Sequence, residues 1–380
     1  MNVDSAERTT QIVAVGSQGL TTRSASIALR GLKDLVRESN WLVKKVFAGP
    51  IEILKISPKG SVAGFRCKGL KGSDSIEVFG IEGAPAAPIE LGLLFTEEEK
   101  TGTPPGQVQG NFAWSPSGDQ LVAATTPLKQ QLQYFDFLRG GHGTAFGAAG
   151  PQPTHLSWSS DGGFLAAARS GGADARVSLW RAQNAAFPFS NSCESELGFP
   201  GWIERQTYEV ESGEDGAFLG YGRLAFSPDG RALAVAAEFQ GEWADDSITI
   251  VDVPGMSEQL THPVQGHVTD IAWARDGREL VYCASGQAYR LDLETMDAEA
   301  LPFGAEWCAS HPELPVCVCY SGWLKNSAKG RLFLVDLQTL RVFDEHAAES
   351  VADVRWGSDG TKAYAITTDG LAYVYEPDFL

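Results

Sequence analysis

The segment Arg223–Gly230 reads RLAFSPDG, and the same phrase returns along most of the chain. Each copy is a short apolar run that ends in an aromatic residue or isoleucine, followed by a turn of the Ser-Pro-Asp-Gly kind and a second apolar run. The other copies begin at Ile53 (ILKISPKG), Asn111 (NFAWSPSG), His155 (HLSWSSDG), Asp270 (DIAWARDG) and Asp353 (DVRWGSDG), with a degraded copy, EWCASHPE, at Glu306. Two apolar runs around a glycine-containing turn predict a β-hairpin in every copy.

Two further runs follow each hairpin. The third run has an aspartate between apolar residues, as in Phe135-Asp136-Phe137 and Val251-Asp252-Val253, and a weaker fourth run leads into the next copy. Each unit therefore predicts four short antiparallel strands. The turns from Gly60 to Gly360 are 300 residues apart over six intervals, which is 50 residues per interval. This period is typical of repeat folds built from one sheet per unit.

The best-preserved unit carries a family resemblance. Gly266-His267 precedes the strand Val268-Thr269-Asp270-Ile271-Ala272-Trp273, and on this pattern the chain resembles the degenerate WD40-like β-propeller family from about residue 41 to residue 380. The resemblance implies an all-β, seven-bladed β-propeller of four-stranded antiparallel blades. The Trp-Asp dipeptide is absent, and the other Gly-His pair, Gly141-His142, is predicted to lie in a glycine-rich loop.

The two ends of the chain are predicted to close the ring. Only three strands remain in the last unit, so the run 41–47 is predicted to supply its outer strand and protect the sheet edge. Residues 1–40 form an N-terminal extension in this interpretation, with an amphipathic helix over 24–38, and residues 41–380 form the propeller. An eighth blade within the interval 162–230 is the alternative.

Composition limits the partners and the compartment. The chain has 30 Lys and Arg against 48 Asp and Glu, a formal charge of −18, which argues against a nucleic-acid partner and an anionic membrane surface. No apolar run is long enough to span a membrane, and the first residues lack the pattern of a secretory signal. The six cysteines form no C-x-x-C pair, which favours free thiols and a cytoplasmic protein.

The chain contains none of the common catalytic or nucleotide-binding motifs, so no catalytic residue, metal or cofactor is predicted. Cys317 and Cys319, with Cys308 one strand earlier, are interpreted as core packing rather than metal ligands. One alternative stays open. The residue three places before the aromatic end of each inner strand falls near one mouth of the central channel, and a lactonase or other hydrolase with a metal there would use Asn111, His155, Arg223, Asp270, Glu306 and Asp353. A solvated, non-catalytic channel explains the same polar residues.

The leading interpretation is a non-enzymatic scaffold that binds another protein through its top face, as a subunit of a larger assembly. Long insertions are predicted on that face, and they contain the aromatic residues Trp202, Trp243 and Trp323 beside the acidic residues Glu242, Asp245 and Asp246. Aromatic residues surrounded by charge are typical of interface hot spots. A partner with a basic patch is therefore expected, unless each tryptophan packs onto its own blade.

Overall fold

A computed structural model describes fourteen stretches of the chain: residues 41–47, 51, 53–66, 75–81, 112–124, 131–136, 141–147, 153–169, 176–182, 202–208, 217–240, 246–255, 257–322 and 330–377. These residues form twenty-seven strands and no helix. In the described part of the chain, therefore, no helix is long and apolar enough to cross a membrane. The helix predicted over residues 24–38 lies outside the described residues.

The strands form seven antiparallel sheets, which confirms the predicted seven-bladed propeller. Numbered in chain order, blade 1 contains β2 (Ile53–Ile56), β3 (Ser61–Arg66) and β4 (Ser75–Gly80), and blade 2 contains β5 (Phe112–Trp114), β6 (Gln120–Ala124), β7 (Gln131–Asp136) and β8 (Gly141–Gly147). Blade 3 contains β9 (Pro153–Trp158), β10 (Phe164–Arg169), β11 (Arg176–Ala182) and β12 (Trp202–Tyr208), and blade 4 contains β13 (Ala217–Phe226), β14 (Ala232–Gln240), β15 (Asp246–Asp252) and β16 (Ser257–Val264).

Blade 5 contains β17 (Val268–Trp273), β18 (Glu279–Ala284), β19 (Gln287–Asp292) and β20 (Ala298–Ala300). Blade 6 contains β21 (Trp307–Ser310), β22 (Val316–Ser321), β23 (Arg331–Asp336) and β24 (Arg341–Ala347). Blade 7 contains β25 (Val351–Trp356), β26 (Ala363–Thr367) and β27 (Leu371–Tyr375), with β1 (Trp41–Lys45) as its outer strand. Residues 162–230 contribute only to blades 3 and 4 in the described part of the chain, so no eighth sheet is found there.

The hairpin turns explain the recurring phrase. In blade 4 the Gly230 N–H donates to the Ser227 carbonyl oxygen at 2.9 Å, and Gly230 has a φ of +70°. The Ser227 hydroxyl accepts a hydrogen bond from Ala232 N–H at 2.9 Å and donates one to Asp229 Oδ1 at 2.7 Å. Glycine adopts this positive φ without the steric cost of a Cβ, so the phrase fixes where each hairpin turns.

Ring closure places the N-terminal strand where the sequence predicted it. β1 pairs antiparallel with β27, from Trp41 opposite Tyr375 to Lys45 opposite Leu371. The Trp41 ring stacks on His346 of blade 6 at 5.6 Å between centroids and packs against Tyr375 at 4.9 Å. β1 therefore joins the last two blades as well as completing the last sheet.

The core lies between neighbouring blades rather than within one sheet. Ala234 and Ile250 of blade 4 pack with Trp273 and Leu280 of blade 5 in one buried cluster. Three of the tryptophans that end inner strands donate their Nε1–H to the blade before them: Trp114 to Lys55 O at 2.9 Å, Trp158 to Ala113 O at 3.3 Å and Trp273 to Ala225 O at 2.7 Å. The aromatic end of the phrase therefore sets the packing between blades.

The propeller has two faces. The face with the Ser-Pro-Asp-Gly hairpins, such as residues 227–230, is called the turn face. The opposite face, where the inner strands begin, is called the loop face and corresponds to the predicted top. Connections between second and third strands, and between one blade and the next, lie on the loop face, because antiparallel strands alternate in direction.

Candidate functional site

The candidate site lies where the seven inner strands surround the central channel. The upper ring is defined as the residue three places before the end of each inner strand, and its members with described side chains are His155, Arg223, Asp270, Trp307 and Asp353. Asn111, which was predicted for this ring, lies outside the described residues. The sixth predicted member, Glu306, is not in the ring.

The pairing register of blade 6 places Trp307, and not Glu306, in the ring. The His311 N–H donates to Val316 O at 2.8 Å, as the Ser115 N–H donates to Gln120 O at 2.8 Å in blade 2. His311 therefore occupies the position of the turn serine, so the strand ends at Ser310 and the ring residue is Trp307. A shift of one residue turns every side chain to the other face of a strand. The signal was present in the sequence, because Pro312 is in register with the turn prolines of the other copies only in this alignment.

Three ring residues bond to the neighbouring blade. His155 Nδ1 accepts a hydrogen bond from Leu224 N–H at 3.1 Å, Asp270 Oδ2 accepts one from Cys308 N–H at 3.0 Å, and Asp353 Oδ2 accepts one from Ile56 N–H at 2.8 Å. Each N–H belongs to the inner strand of the next blade, on the edge that has no strand partner. An unpaired buried N–H costs free energy, so these polar side chains stabilise the inner edge of the sheets.

The electrostatics of the ring follow from its burial and its cations. Burial, with the nearby charges of Arg223, Lys55 and Arg355, lowers the pKa of His155 well below its ordinary value of 6.5. Burial raises the pKa of Asp270, although the charges of Arg223 and Lys55 oppose this shift. Asp353 Oδ1 lies 3.5 Å from Lys55 Nζ. His155 is therefore neutral at pH 7, and because its Nδ1 accepts a hydrogen bond, its proton is on Nε2.

Trp307 extends across the channel between two cations. The guanidinium carbon of Arg223 lies 5.2 Å from the centroid of the Trp307 ring, and Lys55 Nζ lies 5.6 Å from it. Arg223 belongs to blade 4, Trp307 to blade 6 and Lys55 to blade 1, and blades that are not neighbours can meet only across the centre of the ring. These distances are within the range of cation–π attraction.

The lower ring is defined as the residue two places further along each inner strand, on the same side. It contains Lys55 and Arg355 on the neighbouring blades 1 and 7, and five small residues: Ala113, Ser157, Ala225, Ala272 and Ala309. All seven keep some exposed surface. The prediction from sequence missed Lys55, Arg355 and Trp307, although counting one step further along each copy identifies the first two.

Glu306 lies outside the ring, beside blade 6. Its Oε1 is buried without a hydrogen-bond partner among the described residues, and burial raises its pKa. Its backbone oxygen accepts a hydrogen bond from the Thr269 hydroxyl at 2.9 Å. The predicted carboxylate of the channel mouth is therefore replaced by an indole.

Two of the predicted partner-binding residues lie elsewhere than expected. Trp202 begins β12 opposite Ala182, the last residue of β11, so it lies at the turn-face end of blade 3 and not in a loop of the top face. The insertion 183–201 joins the third and fourth strands, which reverses the side on which Trp202 emerges. Asp246 is buried at the start of β15, with its Oδ2 3.7 Å from His267 Nδ1, so it is not a surface charge. The remaining predicted residues, Trp243, Trp323, Glu242 and Asp245, lie outside the described residues.

The cysteines of blades 5 and 6 are core residues. Cys283, Cys308, Cys317 and Cys319 are buried free thiols that pack with Phe303 and Phe333. Sulfur atoms of Cys317 and Cys319 are 3.7 Å apart, which confirms that they share one strand face. Hydrogen bonding to the neighbouring thiol and burial raise the pKa of Cys308 and of Cys319 well above the ordinary value. The thiols of Cys308 and Cys319 are therefore protonated at neutral pH.

A metal at the channel mouth would need several convergent ligands. Among the described residues, no three His, Cys, Asp or Glu side chains are close enough together to hold one. Arg223 within the ring also repels a cation. The ring as described is thus a poorer candidate for the hydrolase alternative than the predicted one, because it has lost Glu306.

A comparison with known protein families finds a match to a repeat that forms propeller blades. The family model described as "WD domain, G-beta repeat" matches residues 142–181. This part of the seven-bladed propeller is therefore similar to one repeat of the WD40 family. The match runs from β8 to β11, so the sequence repeat of this propeller joins the outer strand of one blade to three strands of the next. In the structure His142 lies in β8, where a loop was predicted. A search of curated proteins finds no significant match to this propeller.

Proposed function

We propose that this propeller is a non-enzymatic scaffold that binds another protein through its loop face, as one subunit of a larger assembly. WD40-like propellers are commonly protein-interaction scaffolds and are typically non-enzymatic. The observation that carries the proposal is the use of the polar ring. Its acceptors hold the inner strands of neighbouring blades together, which explains these residues without a reaction.

The chemistry of the partner is proposed from the loop connections. Residues 241–245 and 323–329 join second to third strands in blades 4 and 6, and they contain Trp243, Glu242, Asp245 and Trp323. With a net charge of −18, the propeller favours a partner that has a basic patch. In this proposal the tryptophans contribute most of the binding free energy, and the acidic residues increase the rate of association.

The experiment begins with affinity capture of the full chain and identification of the bound protein by mass spectrometry. Trp243→Ala and Trp323→Ala are then each expected to weaken binding of that protein by about 2 kcal/mol or more. Trp202→Ala is the matched control, since it removes the same side chain at the other face. The proposal is wrong if Trp202→Ala abolishes binding while the two loop-face variants fold and bind normally.

The charge part of the proposal has its own readout. Glu242→Lys and Asp245→Lys are expected to slow association and to reduce its dependence on salt, with a smaller effect on dissociation. Glu294→Lys, at an exposed position of the turn face between β19 and β20, is the control. Equal effects of the control and the loop-face reversals would show that only net charge matters.

A further inference from the structure

The upper ring holds hydrogen-bond donors that have no acceptor in the described part of the chain. Arg223 makes no hydrogen bond or ion pair there through its guanidinium, which lies over the face of Trp307, and its charge also acts on the nearby His155 and Asp270. The indole N–H of Trp307 has no acceptor among the same residues, and His155 uses only its Nδ1. These three side chains come from blades 4, 6 and 3, and Arg223 links them, because it contacts Trp307 across the channel and lies near enough to His155 to lower its pKa.

Each carboxylate of the same ring already accepts a backbone N–H from the neighbouring blade. Asp270 Oδ2 binds the Cys308 N–H, and Asp353 binds the Ile56 N–H and faces the ammonium of Lys55. Neither carboxylate forms an ion pair with Arg223. The donors of Arg223, Trp307 and His155 that have no partner in the described part of the chain outnumber the carboxylate oxygens left there, although the protein as a whole is strongly acidic.

The channel offers room beside these donors. Two residues further along the inner strands, towards the turn face, five of the seven lower-ring residues are alanine or serine, and the two large ones are cations, Lys55 and Arg355. Arg223 and Lys55 both lie within cation–π distance of the Trp307 ring. These contacts limit the conformational freedom of both long side chains. Donors held in place lose less entropy when they bind an acceptor.

We propose that the loop-face mouth of the channel is a binding site for a single carboxylate. The guanidinium of Arg223 accommodates both oxygens of a planar carboxylate, and the indole N–H of Trp307 and Nε2–H of His155 are the additional donors. A monoanion fits better than a phosphate dianion, because Asp270 and Asp353 stand in the same ring and repel the second charge. The carboxylate comes from a peptide C-terminus or from an acidic side chain.

The site does not depend on the proposed scaffold function, since small carboxylates test it without a partner. Four probes are titrated calorimetrically into the full chain: N-acetylglycine, N-acetylglycinamide, acetyl-Gly-Glu-Gly-amide and acetyl-Gly-Gln-Gly-amide. Both carboxylates are expected to bind and both amides are not. Tighter binding of N-acetylglycine indicates a chain terminus as the natural ligand, and tighter binding of the glutamate peptide indicates a side chain.

Variants assign the binding to Arg223. Arg223→Gln is expected to weaken the better carboxylate at least about tenfold, because it removes the bidentate donor. Its melting temperature is expected to stay within about 3 °C of the original, since Arg223 has no ion pair to lose. Trp307→Phe keeps the ring but loses the N–H, and a loss of about threefold is expected. Arg278→Gln, an exposed arginine on the turn face, is the control and leaves binding unchanged.

Three results would overturn the proposal. They are equal binding of amides and carboxylates, unchanged binding by a folded Arg223→Gln variant, and preferential binding of inorganic phosphate over N-acetylglycine. Capture of a protein partner can succeed in each of these cases, so failure of this site and failure of the scaffold proposal are distinguishable.

Discussion

At the scale of single residues, the polar ring of the channel is best understood as a set of caps for strand edges. The inner strand of each blade has an edge without a strand partner, and His155, Asp270 and Asp353 each accept an N–H from such an edge. One imidazole and two carboxylates fill this same role in different blades. An edge cap needs only an acceptor.

The cap at Asp353 predicts a loss of stability. Asp353→Ala leaves the buried Ile56 N–H without an acceptor and Lys55 without its carboxylate, so a loss of about 2 to 3 kcal/mol in the free energy of unfolding is expected. Asp353→Asn keeps an acceptor and is expected to recover part of this loss. Urea unfolding measures both, with Glu349→Ala at an exposed position as the control. Equal stability of Asp353→Ala and the control would contradict the edge-cap role.

The cap at His155 predicts a dependence on pH. Its folded-state pKa is lowered below 6.5, so the neutral form stabilises the fold. This contribution is complete above pH 6.5 and is lost as the pH falls below that value, since the unfolded state takes up the proton first. His155→Gln keeps an acceptor but does not titrate. Unfolding free energies from about pH 6 to about pH 5 are expected to fall less steeply in this variant, by up to about 1.4 kcal/mol per pH unit, and parallel curves would contradict the assignment.

At the scale of elements, the repeated turn determined how much could be predicted. The positive φ of the turn glycine and the apolar runs around it identify the inner hairpins, and six of the seven are in the predicted register. Blade 6 lacks both the turn glycine and the aromatic residue at the end of its inner strand, so the register predicted for this blade was wrong by one residue. Trp202 was placed on the wrong face because strand parity, and not composition, decides where a connection emerges. Contacts across the channel, such as Arg223 with Trp307, have no signal in a local pattern.

The closing strand predicts a contrast between neighbouring residues. Trp41→Ala removes the ring that packs on His346 and Tyr375, and a loss of about 2 to 4 kcal/mol in unfolding free energy is expected. Leu42 is 48% exposed on the same strand, so Leu42→Ala is expected to cost about 0.5 kcal/mol or less. Thermal or urea unfolding of the two variants measures the difference. Equal losses would show that β1 does not close the ring through Trp41.

At the scale of the whole molecule, closure by β1 makes the stability of every blade depend on the N-terminal strand. Deletion of residues 1–50 removes β1 and exposes the edge of β27, so aggregation or a large loss of melting temperature is expected. Deletion of residues 1–20 leaves β1 in place and is the control. If both truncated proteins have the melting temperature of the full chain, the ring does not need this strand.

We propose that the loop face of this propeller binds a partner protein. Hydrogen–deuterium exchange of the full chain, alone and with its captured partner, tests it most directly. Protection by the partner is expected in peptides that contain residues 241–245 and 323–329, while peptides of the turn-face hairpins at 227–230 and 274–277 exchange unchanged. Protection confined to the turn-face hairpins or to residues 183–202, with no change at the loop face, would contradict the account.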